Sequence, residues 1–225
     1  MKYIFIGDLH GAREIAEHVL KSYPEYHKVF IGDYVDSLDR SVEDQLNLVG
    51  ILLDAVEQRE DVTCLLGNHE LSYLKSGMRC SGFNPVTATH LIHLKTDMLK
   101  LFKTHKYITD DILCTHAGAT DRAFDDADDV REKLQSDDEV LYRIGYVRGG
   151  SRPYGGVFWC DFWAEYAPIE GLIQIVGHSA HRPSPEERGV TYKPRCYNID
   201  CLQHSKELLT YDTETEEFNI VIGEW

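Results

Sequence analysis

The sequence of 225 residues predicts an α/β fold in which two packed sheets are flanked by helices. Three observations carry this expectation. In the first half, short apolar runs rich in strand formers alternate with helical periodicities; after Lys106 strand-forming runs dominate; and polar signatures stand where several apolar runs end.

Tyr3-Ile4-Phe5-Ile6 reads as the first strand and Lys28-Val29-Phe30-Ile31 as the second. Between them Ala12 to Lys21 carries Ile15, Val19 and Leu20 at helical intervals, making Tyr3 to Ile31 a βαβ unit. Ser41 predicts the N-cap of a helix reaching about Arg59. Glu43 and Asp44 suit its positive first turn, and Leu46, Val49, Leu52, Leu53 and Val56 share a face. Asp61 to Leu66 is the third strand, and His69 to Lys75 should begin a helix directly after it. Pro85 to His105 reads as a helical insertion striped with Leu91, Leu94, Met98, Leu101 and Phe102.

Lys106 to Thr109 and Ile112 to Thr115 predict a hairpin around Asp110-Asp111. Later runs at Val157 to Trp159, Leu172 to Val176, Cys196 to Ile199, Glu207 to Tyr211 and Phe218 to Ile222 suggest a second sheet finished by C-terminal antiparallel strands. Gly149 to Gly156 reads as a flexible segment and a candidate substrate loop. The acidic stretch Asp121 to Glu139 reads as a solvated face or mobile loop, since its spacing does not match a calcium-binding EF-hand.

Bulk composition narrows the function classes. A chain of this length with 43% hydrophobic residues can build one domain, expected over 1–225. The net charge of −15 argues against general nucleic-acid binding, because a polyanion is repelled. No apolar run is long enough to cross a bilayer, and Met1 is followed at once by the first strand rather than by a secretory leader. Cys64, Cys80, Cys114, Cys160, Cys196 and Cys201 form no Cys-x-x-Cys pair and fit reduced thiols, so a cytoplasmic protein with no membrane partner is expected.

The chemistry lies in five signatures: Gly7-Asp8-Leu9-His10-Gly11, Gly32-Asp33-Tyr34-Val35-Asp36, Gly67-Asn68-His69-Glu70, Thr115-His116-Ala117-Gly118 and Gly177-His178-Ser179. Each follows an apolar run, and loops at the carboxyl ends of strands in open α/β sheets meet in one crevice. Together they offer the hard oxygen and imidazole donors that hold two divalent metal ions, which predicts a two-metal hydrolase of phosphate esters.

In order and type these motifs resemble the metallophosphoesterase superfamily, and within it the phosphoprotein phosphatase branch, whose pattern runs GDxHG, GDxxDRG, GNHE, a later His and a GH pair. The resemblance spans roughly Met1 to His181 and implies a four-layer α/β/β/α sandwich. It implies further that Asp8 and His10 bind a first metal, that Asp33 bridges both, and that Asn68, His116 and His178 complete the second. Manganese is the expected metal, with iron or zinc compatible with the same donors. By the same resemblance a metal-bridging hydroxide attacks phosphorus, and His69 is the general acid oriented by Asp36. Glu70 reads equally well as an acid at a helix N-terminus and as a support for the metal ligands.

One departure stands out. Where the family continues Asp-Arg-Gly this chain has Asp36-Ser37-Leu38-Asp39-Arg40, and a second family arginine near Phe158 to Trp163 is also missing. Arg40 and Arg79 are the nearest substitutes for phosphate binding, with Arg148, Arg152 and Arg182 more remote. The expected function is therefore a phosphomonoesterase most like a Ser/Thr protein phosphatase, acting on a phosphoprotein or small phosphoester. The alternatives are a nucleotide hydrolase similar to the diadenosine tetraphosphatases and a non-catalytic scaffold of the same fold.

Overall fold

Alternate residues of the first strand define the layers. In the computed structural model, which describes residues 1–75, 77–78, 80–180 and 189–225, strand β1 (Lys2–Ile6) pairs in parallel with β2 (Tyr26–Phe30), and β2 with β3 (Val62–Cys64). Tyr3 and Phe5 are buried with Val29, Ile31, Ile112, Cys114 and Ile175, between this sheet and a second one. Ile4 and Ile6 point the other way. They are buried with Ile15 and Val19 of α1 (Arg13–Ser22) and with Leu48, Val49 and Leu52 of α2 (Val42–Gln58). A strand covered on both faces reads as an unbroken apolar run, and each fully buried Ile or Leu contributes about 1.5–3 kcal/mol.

The second sheet has the order β4 (His105–Tyr107), β5 (Ile112–Thr115), β6 (Ile173–Val176), β8 (Cys196–Asn198), β7 (Thr191–Lys193). Strands β5, β6 and β8 run parallel, and β4 and β7 are antiparallel edges. Leu113 of β5 shares a core with Phe124 and with Val130 and Leu134 of α5 (Ala127–Ser136), which forms the fourth layer. The architecture is α/β/β/α with two mixed sheets.

Helix α2 is capped as expected, the Ser41 hydroxyl accepting from the Asp44 amide at 3.1 Å. The insertion is the helix α4 (Pro85–Leu101), started by Asn84, whose Oδ1 accepts from the Val86 amide at 2.8 Å. It packs on α2 and on the short α3 (Asn68–Leu74), burying Leu91 and Met98. Beyond it, Lys103 bonds Cys64 and Leu66 of the first sheet before the chain crosses to β4.

Four expectations are corrected. The C-terminal strands β9 (Glu207–Asp212) and β10 (Glu217–Ile222) complete the first sheet instead of the second, with β9 antiparallel to β1 along its open side. Hydrophobic alternation identifies a strand but not which edge it will cover. Val157 to Trp159 forms turns, the Trp159 amide bonding locally to the Gly156 carbonyl and the Phe158 amide to that of Leu141, because a buried apolar run needs no ladder. The acidic stretch keeps a solvated face but is no loop, since it contains α5, whose acids act as caps and pairs: Asp126 accepts from the Asp129 amide at 2.9 Å, and Asp129 pairs with Lys133 at 2.7 Å. Finally, the glycine-rich segment is tied down by bonds from Tyr146 to Arg152 and from Gly156 to Arg143, both 2.8 Å, and it does not line the main cavity. Among the described residues no helix is long and apolar enough to cross a membrane.

Candidate metal centre

Each site residue leaves the sheet just past a strand's carboxyl end: Asp8 and His10 after β1, Asp33 and Asp36 after β2, Asn68 and His69 after β3, His116 after β5, His178 after β6. Parallel neighbours bring these loops to one edge of both sheets. The turns are tight. Among the described residues seven non-glycines adopt left-handed φ, and four of them are His10, Asp33, Asp36 and His178, so backbone strain is concentrated here. A Cβ on Gly67 would stand 2.1 Å from Asp33 Oδ1, and one on Gly177 2.1 Å from Asp8 Oδ1; only glycine lets the backbone pass so close to the two carboxylates.

Asp33 is the hub. Its Oδ2 lies 3.3 Å from His116 Nε2, 3.8 Å from His69 Nε2 and 3.9 Å from His10 Nε2. Asn68 Oδ1 lies 2.7 Å from His116 Nε2 and 2.9 Å from His178 Nδ1. The far nitrogens explain the arrangement. His116 Nδ1 meets the Ile31 carbonyl at 2.9 Å and His10 Nδ1 the Val35 carbonyl at 2.7 Å. A carbonyl can only accept, so those nitrogens carry the protons, and in the neutral rings the Nε2 lone pairs face carboxylate and amide oxygens. Lone pairs so opposed call for a cation between them, and outer carbonyls orient metal-binding imidazoles in this way.

Two donor groups have ligand atoms within 4.8 Å of one another, His10 with Asp33 and His69, and Asp33 with His116 and His178. Asp33 belongs to both. Asp8 stands beside them, accepting from the His178 amide at 3.0 Å. The residues therefore fit two divalent cations that share Asp33.

Electrostatics agree with that reading. Burial alone would raise Asp33, yet the imidazoles of His116, His69 and His10 hold it well below the usual carboxylate range. Burial, Asp200 and Asp33 push Asp8 well above that range, the signature of a crowded set of acids awaiting positive charge. Burial, His116 and Arg148 hold His178 well below the ordinary imidazole value, which keeps it in its neutral, ligand form.

His69 differs. Its Nδ1 bonds Asp36 Oδ2 at 2.8 Å, and although burial pulls its pKa down, Asp33 and Asp36 raise it to about 9. The raised value favours the protonated ring, which Asp36 holds beside Asp33. Glu70 performs both roles considered for it. Its buried carboxylate accepts from the Gly67 amide at 3.0 Å in the first turn of α3, and from the amides of Asp33, Tyr34 and Val35 at 2.9, 2.8 and 3.3 Å. It thereby fixes the Asp33 loop against α3.

Asp8, His10, Asp33, Asn68, His69 and His178 line a cavity of about 430 Å³ with Trp159, Trp163, Arg148 and Asp200. Arg40 lies apart. Its guanidinium is forked onto Glu14 at 2.8 and 2.6 Å, and it lines a neighbouring hollow. Arg79, Arg182 and His181 lie outside the described residues. Among the described residues Arg148 is the Lys or Arg that lines the main cavity, held by Asp161 at 3.0 Å and Ser179 Oγ at 2.8 Å. Sequence reading passed over Asp200, a buried acid raised to about 7 by burial and by Asp33. A signal existed, since Asn198-Ile199-Asp200 follows β8 as the other signatures follow their strands.

A two-sheet α/β sandwich with an Asp, Asn and His cluster at its strand ends defines a phosphoester hydrolase. The chain belongs to the calcineurin-like phosphoesterase family, whose model matches residues 1–200. It is similar in structure to a cold-active protein-tyrosine phosphatase of Shewanella (17% identity, 97% of this chain and 80% of that one, TM-score 0.64). It is also similar to a protein serine/threonine phosphatase of Saccharomyces cerevisiae (14% identity, 100% and 80% covered, TM-score 0.62). A third similar structure is that of a putative diadenosine tetraphosphatase (16% identity, 99% and 94% covered, TM-score 0.53).

Proposed function

We propose that this chain, as a single domain over 1–225, is a two-metal phosphomonoesterase of the phosphoprotein phosphatase kind. The observation that carries the reading is the convergence of the His10, His69 and His116 Nε2 atoms on Asp33 Oδ2, with the other nitrogen of His69 paired to Asp36. Asp8, His10, Asp33, Asn68, His116 and His178 would hold the cations, with manganese the metal proposed first and iron or zinc compatible with the same donors. Bound there, divalent ions supply Lewis acidity toward the phosphoryl oxygens and an activated water.

The chain's own residues do the rest. The Ile31 and Val35 carbonyls turn the His116 and His10 lone pairs toward Asp33, Asp36 holds the His69 ring, and His69 gives its Nε2 proton to the departing ester oxygen. Among the described residues Arg148 is the cavity arginine that can meet a phosphoryl oxygen, while Arg40 is occupied by Glu14. The six free thiols fit a reducing, cytoplasmic setting.

A second reading, hydrolysis of a dinucleoside polyphosphate, draws on Trp159 and Trp163, since indoles lining the cavity could stack a base. Manganese-loaded protein assayed on a set of phosphopeptides, an aryl phosphate and diadenosine tetraphosphate separates the two. Release of phosphate from the phosphopeptides supports the first reading; turnover of the dinucleotide alone overturns it in favour of the second.

A further inference from the structure

Tyr73 stands four residues after His69 on α3, and residues so spaced share a helix face. Its hydroxyl donates to Asp36 Oδ1, while the other carboxylate oxygen, Oδ2, bonds His69 Nδ1 at 2.8 Å. The same hydroxyl accepts from the Asn84 amide at 2.9 Å, at the residue that caps α4. Stacking on Phe83, with centroids 4.7 Å apart and planes at 18°, holds the phenol ring. Asp36 itself has a fully buried side chain, and its amide is held by Gln45 Oε1 at 2.7 Å.

A buried carboxylate that shares only one oxygen with an imidazole can turn about its Cβ–Cγ bond and leaves lone pairs unsatisfied. Tyr73 removes both problems at once. We propose that Tyr73 is a positioning residue: it locks the Asp36 carboxylate so that His69 presents its proton in one orientation, and it links that pair to the start of the α4 insertion. The inference rests on the proposed role of His69 as general acid. Tyr73 does not line the main cavity, so its effect should be confined to the step in which the leaving group is protonated.

The test is Tyr73→Phe, which keeps the ring and its stacking, in manganese-loaded protein. With a series of aryl monophosphates, kcat should fall about tenfold or more for phenyl phosphate, a poor leaving group, and less than about threefold for 2,4-dinitrophenyl phosphate, with KM unchanged. In an Asp36→Asn background the same substitution should cost less than about twofold, because there is no carboxylate left to position. An independent readout is the low-field proton resonance of His69 Nδ1, which should shift or broaden in Tyr73→Phe while bound manganese replaced by zinc stays at wild-type stoichiometry. Equal losses for good and poor leaving groups, equal losses in both backgrounds, or an unmoved resonance would each overturn the assignment. Wild-type protein inactive on every aryl phosphate would instead overturn the proposed function; an active wild type with an indifferent Tyr73→Phe removes only the role of Tyr73.

Discussion

His116 Nε2 lies 3.3 Å from Asp33 Oδ2 while its other nitrogen is fixed on the Ile31 carbonyl, so the only free lone pair of a fully buried ring faces a fully buried carboxylate. That contact is favourable only with a proton or a cation between the two groups. Asp33→Asn removes the charge while keeping the shape. The variant should bind fewer than two metals by elemental analysis and lose nearly all turnover, whereas retention of both metals would deny Asp33 its bridging role.

Replacement of His69 should separate chemistry from metal binding. His69→Asn is expected to keep both metals and to lose about 10²- to 10⁴-fold in kcat on phenyl phosphate, with much less loss on activated aryl phosphates. A leaving-group plot of kcat for the two proteins checks this; parallel lines would refute the acid role.

The two arginines predict opposite outcomes. Arg148→Ala should raise both KM and the inhibition constant of inorganic phosphate about tenfold, the scale of one charge-assisted hydrogen bond. Arg40→Ala should leave both within about twofold, because its partner is Glu14. Phosphate inhibition measured on both variants decides which guanidinium meets the substrate.

Without metal, the protein's stability should depend on His69. Its pKa in the folded chain is raised to about 9 from 6.5 by Asp33 and Asp36, against the pull of burial. A raised value means that the folded state binds the proton more tightly, so this contribution is complete below pH 6.5 and is lost as pH climbs through 9. Thermal melts of metal-free protein should show Tm falling across that window, and His69→Asn should flatten the slope.

Much of this was legible in the sequence, and the misses share a cause. The six candidate ligands and the Asp36–His69 pair could be read as one cluster because each stands directly past a strand's end, where local pattern and three-dimensional position coincide. Asp200 occupies the same kind of position, but Asn198-Ile199-Asp200 has no metal-binding histidine to mark it. Arg148 ranked only among the more remote arginines, because it reaches the cavity from a turn distant in sequence, through Asp161 and Ser179, which no periodicity reports. The strands β9 and β10 were foreseen as strands and given to the wrong sheet, since alternation encodes which face is buried and leaves the neighbour open. Likewise α5 was hidden by its charge, because capping and i,i+4 pairing let an acidic segment be helical with only Val130 and Leu134 buried.

The central claim is a pair of cations sharing one aspartate. Crystals of the manganese-reconstituted protein, measured at the manganese absorption edge, test it most directly. Two anomalous peaks are expected, both within bonding distance of the Asp33 carboxylate, one beside His10 and the other beside Asn68, His116 and His178. A single peak, or none, at full manganese loading would contradict the account.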